Sequence, residues 1–209
     1  RQKKKKKKIK NKEEKMFVCV AGKNDISVNV LQTLFEKKDK NYELGIICNQ
    51  NETGKDSWQK SLRFYARKCG IREYTLQEIY QMKELVFFSM EFDQILKPER
   101  FIDARFYNIH FSLLPKYRGM YTSALPILYG EKQSGVTLHR IDRGIDTGDI
   151  IAQKVIEIGE EDTSRDLYLE CIEKGTQLVI EYMDVLLKGT ESAIPQEKLW
   201  ATYFGRNAI

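Results

Sequence analysis

The chain has 209 residues, 42% apolar and 11% aromatic, a composition unlike collagen-like or disordered sequences and sufficient for a full core without staples. Its net charge of +5 sits in residues 1–15, where ten Lys/Arg face two Glu; the remaining 194 residues carry −3, which excludes a uniformly basic body. No apolar run approaches the ~20 residues that span a bilayer. The basic start leads into no apolar stretch with a small-residue cleavage site, so no signal peptide is expected. Such a Lys-rich run attracts nucleic acid or anionic membrane in isolation. Because a strand begins directly at Met16, residues 1–15 are expected to be a disordered tail or an upstream segment. Cys19, Cys48, Cys69 and Cys171 lie far apart without CxxC spacing. They read as reduced residues of a cytoplasmic protein, not as a disulfide frame or a zinc site.

From Met16 strands and helices alternate. MFVCVA (16–21) is a compact apolar run, followed by a turn at Gly22–Asp25. Asp25 or Ser27 is expected to cap a helix carrying Ile26, Val30, Leu34 and Phe35 on one face. ELGIICN (43–49) is a second buried strand, and SWQKSLRFYARKCG (57–70) a helix closed by Gly70. TLQEIYQMK (75–83) is a short helix, ELVFFSM (84–90) a third strand, and RFYNIHF (105–111) a fourth with Asn108 and His110 on one side. This order implies a parallel sheet covered on both faces. SGVTLHRID (134–142) and DIIAQKVIEI (149–158) are β-rich, and 162–189 is one long helix capped by Asp162 or Thr163 and ended by Gly189. The turn AGKND lacks GxGxxG and GxxxxGK[ST], so it is expected to be structural and not a phosphate loop.

The chain contains two histidines, which shortens the list of neutral-pH acid–base candidates. His110 lies at a strand end, where open parallel sheets gather their sites, and the amide of Asn108 can donate to an oxyanion. DRGIDTGDI (142–150) packs three Asp and two Gly into a tight loop able to present a carboxylate. His139, between Leu138 and Arg140, reads as a structural residue or one at a substrate's edge.

Asn108-x-His110-x-Ser112-Leu113-Leu114-Pro115-x-x-Arg118-Gly119, then Gly135-Val136-Thr137 and Asp142-x-Gly144-x-Asp146-Thr147-Gly148-Asp149, resembles the folate-dependent formyltransferase family. The likeness runs from about Met16 to Phe204 and is most specific over 105–153. It implies an α/β, Rossmann-like, mostly parallel sheet with helices on both faces. It also divides the chain into a catalytic domain at 16–190 and a short C-terminal β segment at 191–209. The implied catalytic trio is Asn108, His110 and Asp146, with 10-formyltetrahydrofolate as formyl donor and no metal. By the same analogy the folate lies against Ser89–Ile95 and Ile141–Asp146, with Met90, Phe92, Ile95, Ile141 and Asp142 as contacts. Here the first segment reads FDQILKP where relatives have Y-G-x-I-L-P.

Among acceptors, the stretch 116–151 and the ending PQEKLWATYFGRN resemble the sugar-nucleotide N-formyltransferases. The implied substrate is a nucleotide-linked aminodideoxysugar: dTDP-4-amino-4,6-dideoxyglucose first, a 3-amino sugar second, bound for bacterial surface polysaccharide (O-antigen, lipopolysaccharide). Lys116 and Arg118 would balance the diphosphate. Met120 and Tyr121 would be further substrate contacts, and Tyr203 and Phe204, with Trp200, would stack the base. Relatives of this kind also pair as homodimers. Methionyl-tRNA and glycinamide ribonucleotide formylation are the alternatives, the first opposed by the acidic body. A nucleic-acid-binding protein on a degenerate enzyme scaffold, using the Lys-rich tail, is the reading from another class.

Overall fold

In a computed structural model, residues 15–38 and 40–209 are described. The expected tail, apart from Lys15, lies outside them. The order begins β1 (Met16–Gly22), α1 (Asn24–Glu36), β2 (Tyr42–Cys48), α2 (Leu62–Lys68), β3 (Arg72–Glu73), α3 (Leu76–Ile79), β4 (Leu85–Met90) and β5 (Ala104–His110). It continues with β6 (Arg118–Gly119), α4 (Leu125–Leu128), β7 (Gln133–Arg140), β8 (Ile150–Glu157), α5 (Ser164–Lys188) and β9 (Tyr203–Phe204). Seven strands form one sheet in the order β3-β2-β1-β4-β5-β7-β8. β3 through β5 are parallel; β7 and β8 add antiparallel at one edge.

The central strands are apolar throughout because both faces are covered: every residue of β4 is buried, and all but Met16 in β1. Val18, Val20, Val86 and Phe88 pack against α1, α2 and α5. Phe17, Cys19, Phe87 and Phe106 face the other way, under Ile79 of α3 and Leu96. β1 and β4 approach so closely at their ends that a Cβ on Gly22 would lie 1.7 Å from the Met90 carbonyl oxygen. α5 starts with a reciprocal capping box between Thr163 and Asp166 and stops at Gly189, φ +66°, as its sequence implies. Among the described residues no helix is long and apolar enough to cross a membrane, and all four cysteines are free thiols.

Two helix starts differ from expectation. Neither Asp25 nor Ser27 caps α1. The Asp25 amide donates instead to Gln59 Oε1 (3.0 Å), and the Asp25 carboxylate accepts from the Lys60 amide (2.7 Å). That long-range tie shapes 57–60 as a bend, so α2 begins only at Leu62, where Ser61 Oγ accepts from the Phe64 amide.

Candidate active site

The parallel strands end at a cavity of about 670 Å³. At the tip of β5, Asn108 and His110 both line it, as residues two apart on a strand must share a side. The turn after β5 is built to return to the strand. Thr137 Oγ1 on β7 donates to the Ser112 carbonyl and accepts from the Leu114 amide, Ser112 Oγ donates to the Lys116 carbonyl, and the Leu114–Pro115 bond is cis. Tyr117 stands at φ +57°, an unfavourable region for a bulky residue. Its amide donates to Thr202 Oγ1 (2.7 Å), its hydroxyl to Glu131 (2.6 Å), and its ring stacks on Phe204. The carbonyl of Tyr117 so fixed accepts from His110 Nε2 at 2.7 Å. A carbonyl only accepts, so Nε2 carries a proton and Nδ1 is the nitrogen free to gain or lose one.

That Nδ1 lies 3.5 Å from Asp146 Oδ2. Asp146 stands at φ +54° in the loop between β7 and β8. The loop is braced internally by Asp142, whose Oδ1 accepts from the Gly144 amide and Thr147 Oγ1. A tight approach pins its far end: a Cβ on Gly148 would sit 1.9 Å from the Arg140 carbonyl oxygen. Asp146 Oδ2 also accepts from the Gly119 amide (2.9 Å), so the carboxylate is aimed by backbone and not left to rotate.

His139 joins the same cavity. It pairs directly across the ladder from Asn108, with Nε2 at 3.0 Å from Asn108 Nδ2 and Nδ1 at 2.7 Å from the Arg140 carbonyl. Burial pushes its pKa down to about 4, against the upward pull of Asp146, whose Oδ1 is 3.7 Å away; the nearby His110 also lowers it. At neutral pH His139 is therefore uncharged, and its contact with Asp146 is not an ion pair. The cross-strand placement of His139 needed the β5–β7 register, which a sequence does not print.

The other expected contacts divide. Phe92, Ile95, Ile141 and Asp142 line the cavity; Met90 does not, because it follows Ser89 by one residue and so turns into the opposite core. Met120, Tyr121 and Tyr203 line it, while Lys116, Arg118, Phe204 and Trp200 do not. Lys116 is exposed to solvent, Arg118 donates through Nε and Nη2 to Gln196 Oε1, and Phe204 is committed to Tyr117. The cations among the described lining residues are Lys23 and Arg206, so the first turn contributes to the cavity, contrary to the purely structural reading. Glu91, missed in the sequence, also lines it at φ +57°. Its carboxylate accepts from Tyr168 and Asn24, and burial pushes its pKa up. Among the described residues no group of three or more His, Cys, Asp or Glu converges to hold a metal.

The chain is similar to several known proteins. The structure of WlaRD, a sugar 3N-formyl transferase solved in the presence of dTDP and 5-N-formyl-THF, is 44% identical. The match has a TM-score of 0.89 and covers 93% of this chain and 71% of that one. An N-formyltransferase from Helicobacter canadensis, solved with folinic acid and dTDP-3-aminofucose, is 43% identical with a TM-score of 0.89, covering 93% and 72%. The methionyl-tRNA formyltransferase of Carboxydothermus hydrogenoformans is 36% identical over 203 residues, covering 90% of this chain. The chain spans 64% of the length of that enzyme, and the same share of the one from Kosmotoga olearia, which is 30% identical. The family model described as formyl transferase matches residues 10–183, and with Asn108, His110 and Asp146 gathered at one cavity the chain belongs to the formyl transferase family.

Proposed function

We propose that the chain moves a formyl group from 10-formyltetrahydrofolate to the C3 amine of a dTDP-linked aminodideoxysugar. The observation that carries this reading is the convergence of His110 Nδ1, the Asn108 amide and the Asp146 carboxylate on one cavity wall. The neutral amine attacks the formyl carbon, forming the new C–N bond and a tetrahedral oxyanion. Asn108 donates a hydrogen bond to that oxygen, and losing one such donor costs roughly 10²–10³ in kcat. His110 Nδ1 takes the proton released by the amine, with Asp146 stabilising the imidazolium, and returns it to folate N10 as the C–N10 bond breaks. Tyr203, 58% exposed at the cavity edge, offers a face for the base, and Lys23 and Arg206 offer charge for the diphosphate.

The 3-amino position is preferred to the 4-amino one because the two structures above 40% identity are a sugar 3N-formyl transferase and a complex with dTDP-3-aminofucose. Both substrates are cytoplasmic metabolites by class, which supports a cytoplasmic site of action. The curated relatives favour methionyl-tRNA as a second acceptor. An assay of released tetrahydrofolate decides between them, offering dTDP-3-amino-3,6-dideoxyhexose, its 4-amino isomer, methionyl-tRNA and glycinamide ribonucleotide in turn. Turnover with the 3-amino sugar is expected; turnover only with methionyl-tRNA would reject the sugar reading.

A further inference from the structure

We propose that His139 is a positioning residue that fixes which end of the Asn108 carboxamide faces the reacting carbon. The inference rests on the formyl-transfer reading and concerns a residue outside the trio.

A carboxamide is nearly symmetric in shape but opposite in polarity at its two ends. Turned one way, Asn108 offers an N–H to a developing oxyanion; turned the other, it offers a carbonyl oxygen that repels it. His139 selects between them. Its Nδ1 lies 2.7 Å from the Arg140 carbonyl, which only accepts, so Nδ1 carries the ring's proton. The neutral ring then has a lone pair on Nε2, and the atom 3.0 Å away must be a donor: Asn108 Nδ2. One amide hydrogen is spent on His139, and the second, diverging by about 120° in the amide plane, has no protein partner among the described residues. The residue it belongs to lines the cavity.

The neutral state has structural causes on every side. His139 is 2% exposed on β7. Asp146 and Asp142 from the loop favour its charged form, His110 from β5 opposes it, and burial outweighs them. Protonation would put a hydrogen on Nε2 and force the amide to flip. With both ring nitrogens committed, to Arg140 and to Asn108, His139 has none left to shuttle a substrate proton. The pair is rigid because Asn108 and His139 are register partners in the ladder. Without the ring the hydrogen bond that distinguishes the two ends of the carboxamide is gone, and either end can face the cavity.

The test uses the full chain with 10-formyltetrahydrofolate and dTDP-3-amino-3,6-dideoxyhexose. His139→Leu is expected to lower kcat roughly 10- to 100-fold, up to the loss of a whole oxyanion donor, with KM for both substrates within about 3-fold. His139→Gln, which can donate to Arg140 and accept from Asn108, should recover most of that loss. In an Asn108→Ala background, His139→Leu should change kcat by less than about 3-fold, since the group it positions is gone. An undiminished loss in that background, or a His139→Leu enzyme as fast as wild type, overturns the proposal. Nitrogen NMR of the wild-type chain is an independent arm: His139 should be protonated at Nδ1 and coupled at Nε2 to the Asn108 amide. A ring protonated at Nε2 overturns the proposal whatever the activity. Should the wild type transfer no formyl group to any acceptor, the functional reading fails and the NMR arm alone decides this one.

Discussion

In the proposed reaction the backbone chooses the nitrogen His110 uses. Nε2 is tied to the Tyr117 carbonyl, which leaves Nδ1, the atom facing Asp146, for the substrate proton. His110→Asn is therefore expected to lower kcat roughly 10²–10⁴-fold while folate affinity, measured by fluorescence titration, stays near wild type. Unchanged turnover would take His110 out of the proton path. His139 leaves a different trace, on stability. Its native pKa near 4 lies below the ~6.5 of the unfolded chain, so between these values the unfolded state binds the extra proton. The stability His139 confers as a neutral ring is complete above pH 6.5 and is lost as pH falls through that window. From pH 7 to pH 5 the loss is about 2 kcal/mol, an order-of-magnitude figure. Urea denaturation at the two pH values should register it in the wild type, and His139→Gln should flatten the dependence by a similar amount.

At the level of elements, the two-residue pairing of β6 with β9 bears directly on the site. Arg118 and Gly119 run beside Tyr203 and Phe204, and the Gly119 amide, at φ +94°, donates to Asp146. A Cβ there would lie 2.2 Å from the Phe204 carbonyl oxygen. Gly119→Ala must open the β6–β9 pair and shift that amide, costing on the order of 1–3 kcal/mol and much of the activity. Gly130→Ala is the control. It also has positive φ, but its Cβ meets nothing within 4 Å, so thermal melts should show only a strain cost of about 1 kcal/mol with turnover intact. Such short strands leave no periodic pattern: β6 is not legible in the sequence, and β9 falls in the 191–209 β segment only by the family resemblance, which gives neither its two-residue extent nor its partner. The buried strands and α5 are legible, because apolar runs and the Thr163 and Gly189 caps are local signals. The start of α2 is hidden because Gln59, distant in sequence from α1, decides it. Met90 could have been excluded: alternation that points Ser89 at the cavity points Met90 away. Lys116 and Arg118 could not, since what occupies Arg118 is a glutamine 78 residues later.

At the scale of the whole molecule, the segment after α5 returns to the loops around the cavity. Gln196 is the joint. Its Nε2 donates to the carbonyls of Asp146 (2.9 Å) and Gly148 (2.7 Å), and its Oε1 accepts from Arg118 (2.7 Å). One side chain thus links the aspartate loop, the strand after the catalytic turn and the C-terminal segment. Asp146 holds a left-handed backbone at φ +54°, and the Gln196 bond to its carbonyl restrains it from outside the loop. Gln196→Ala removes every one of these bonds and leaves partly buried carbonyls unpaired. It is expected to cost about 1–3 kcal/mol in denaturation and roughly tenfold in kcat, with the sheet intact by circular dichroism. Gln196→Glu separates the two functions of the side chain. A carboxylate keeps the Arg118 contact and even strengthens it, yet directs negative charge at two carbonyl oxygens in place of an N–H donor. If the clamp on Asp146 is what matters, Glu should lose as much turnover as Ala or more; if Arg118 is what matters, Glu should be nearly as fast as Gln.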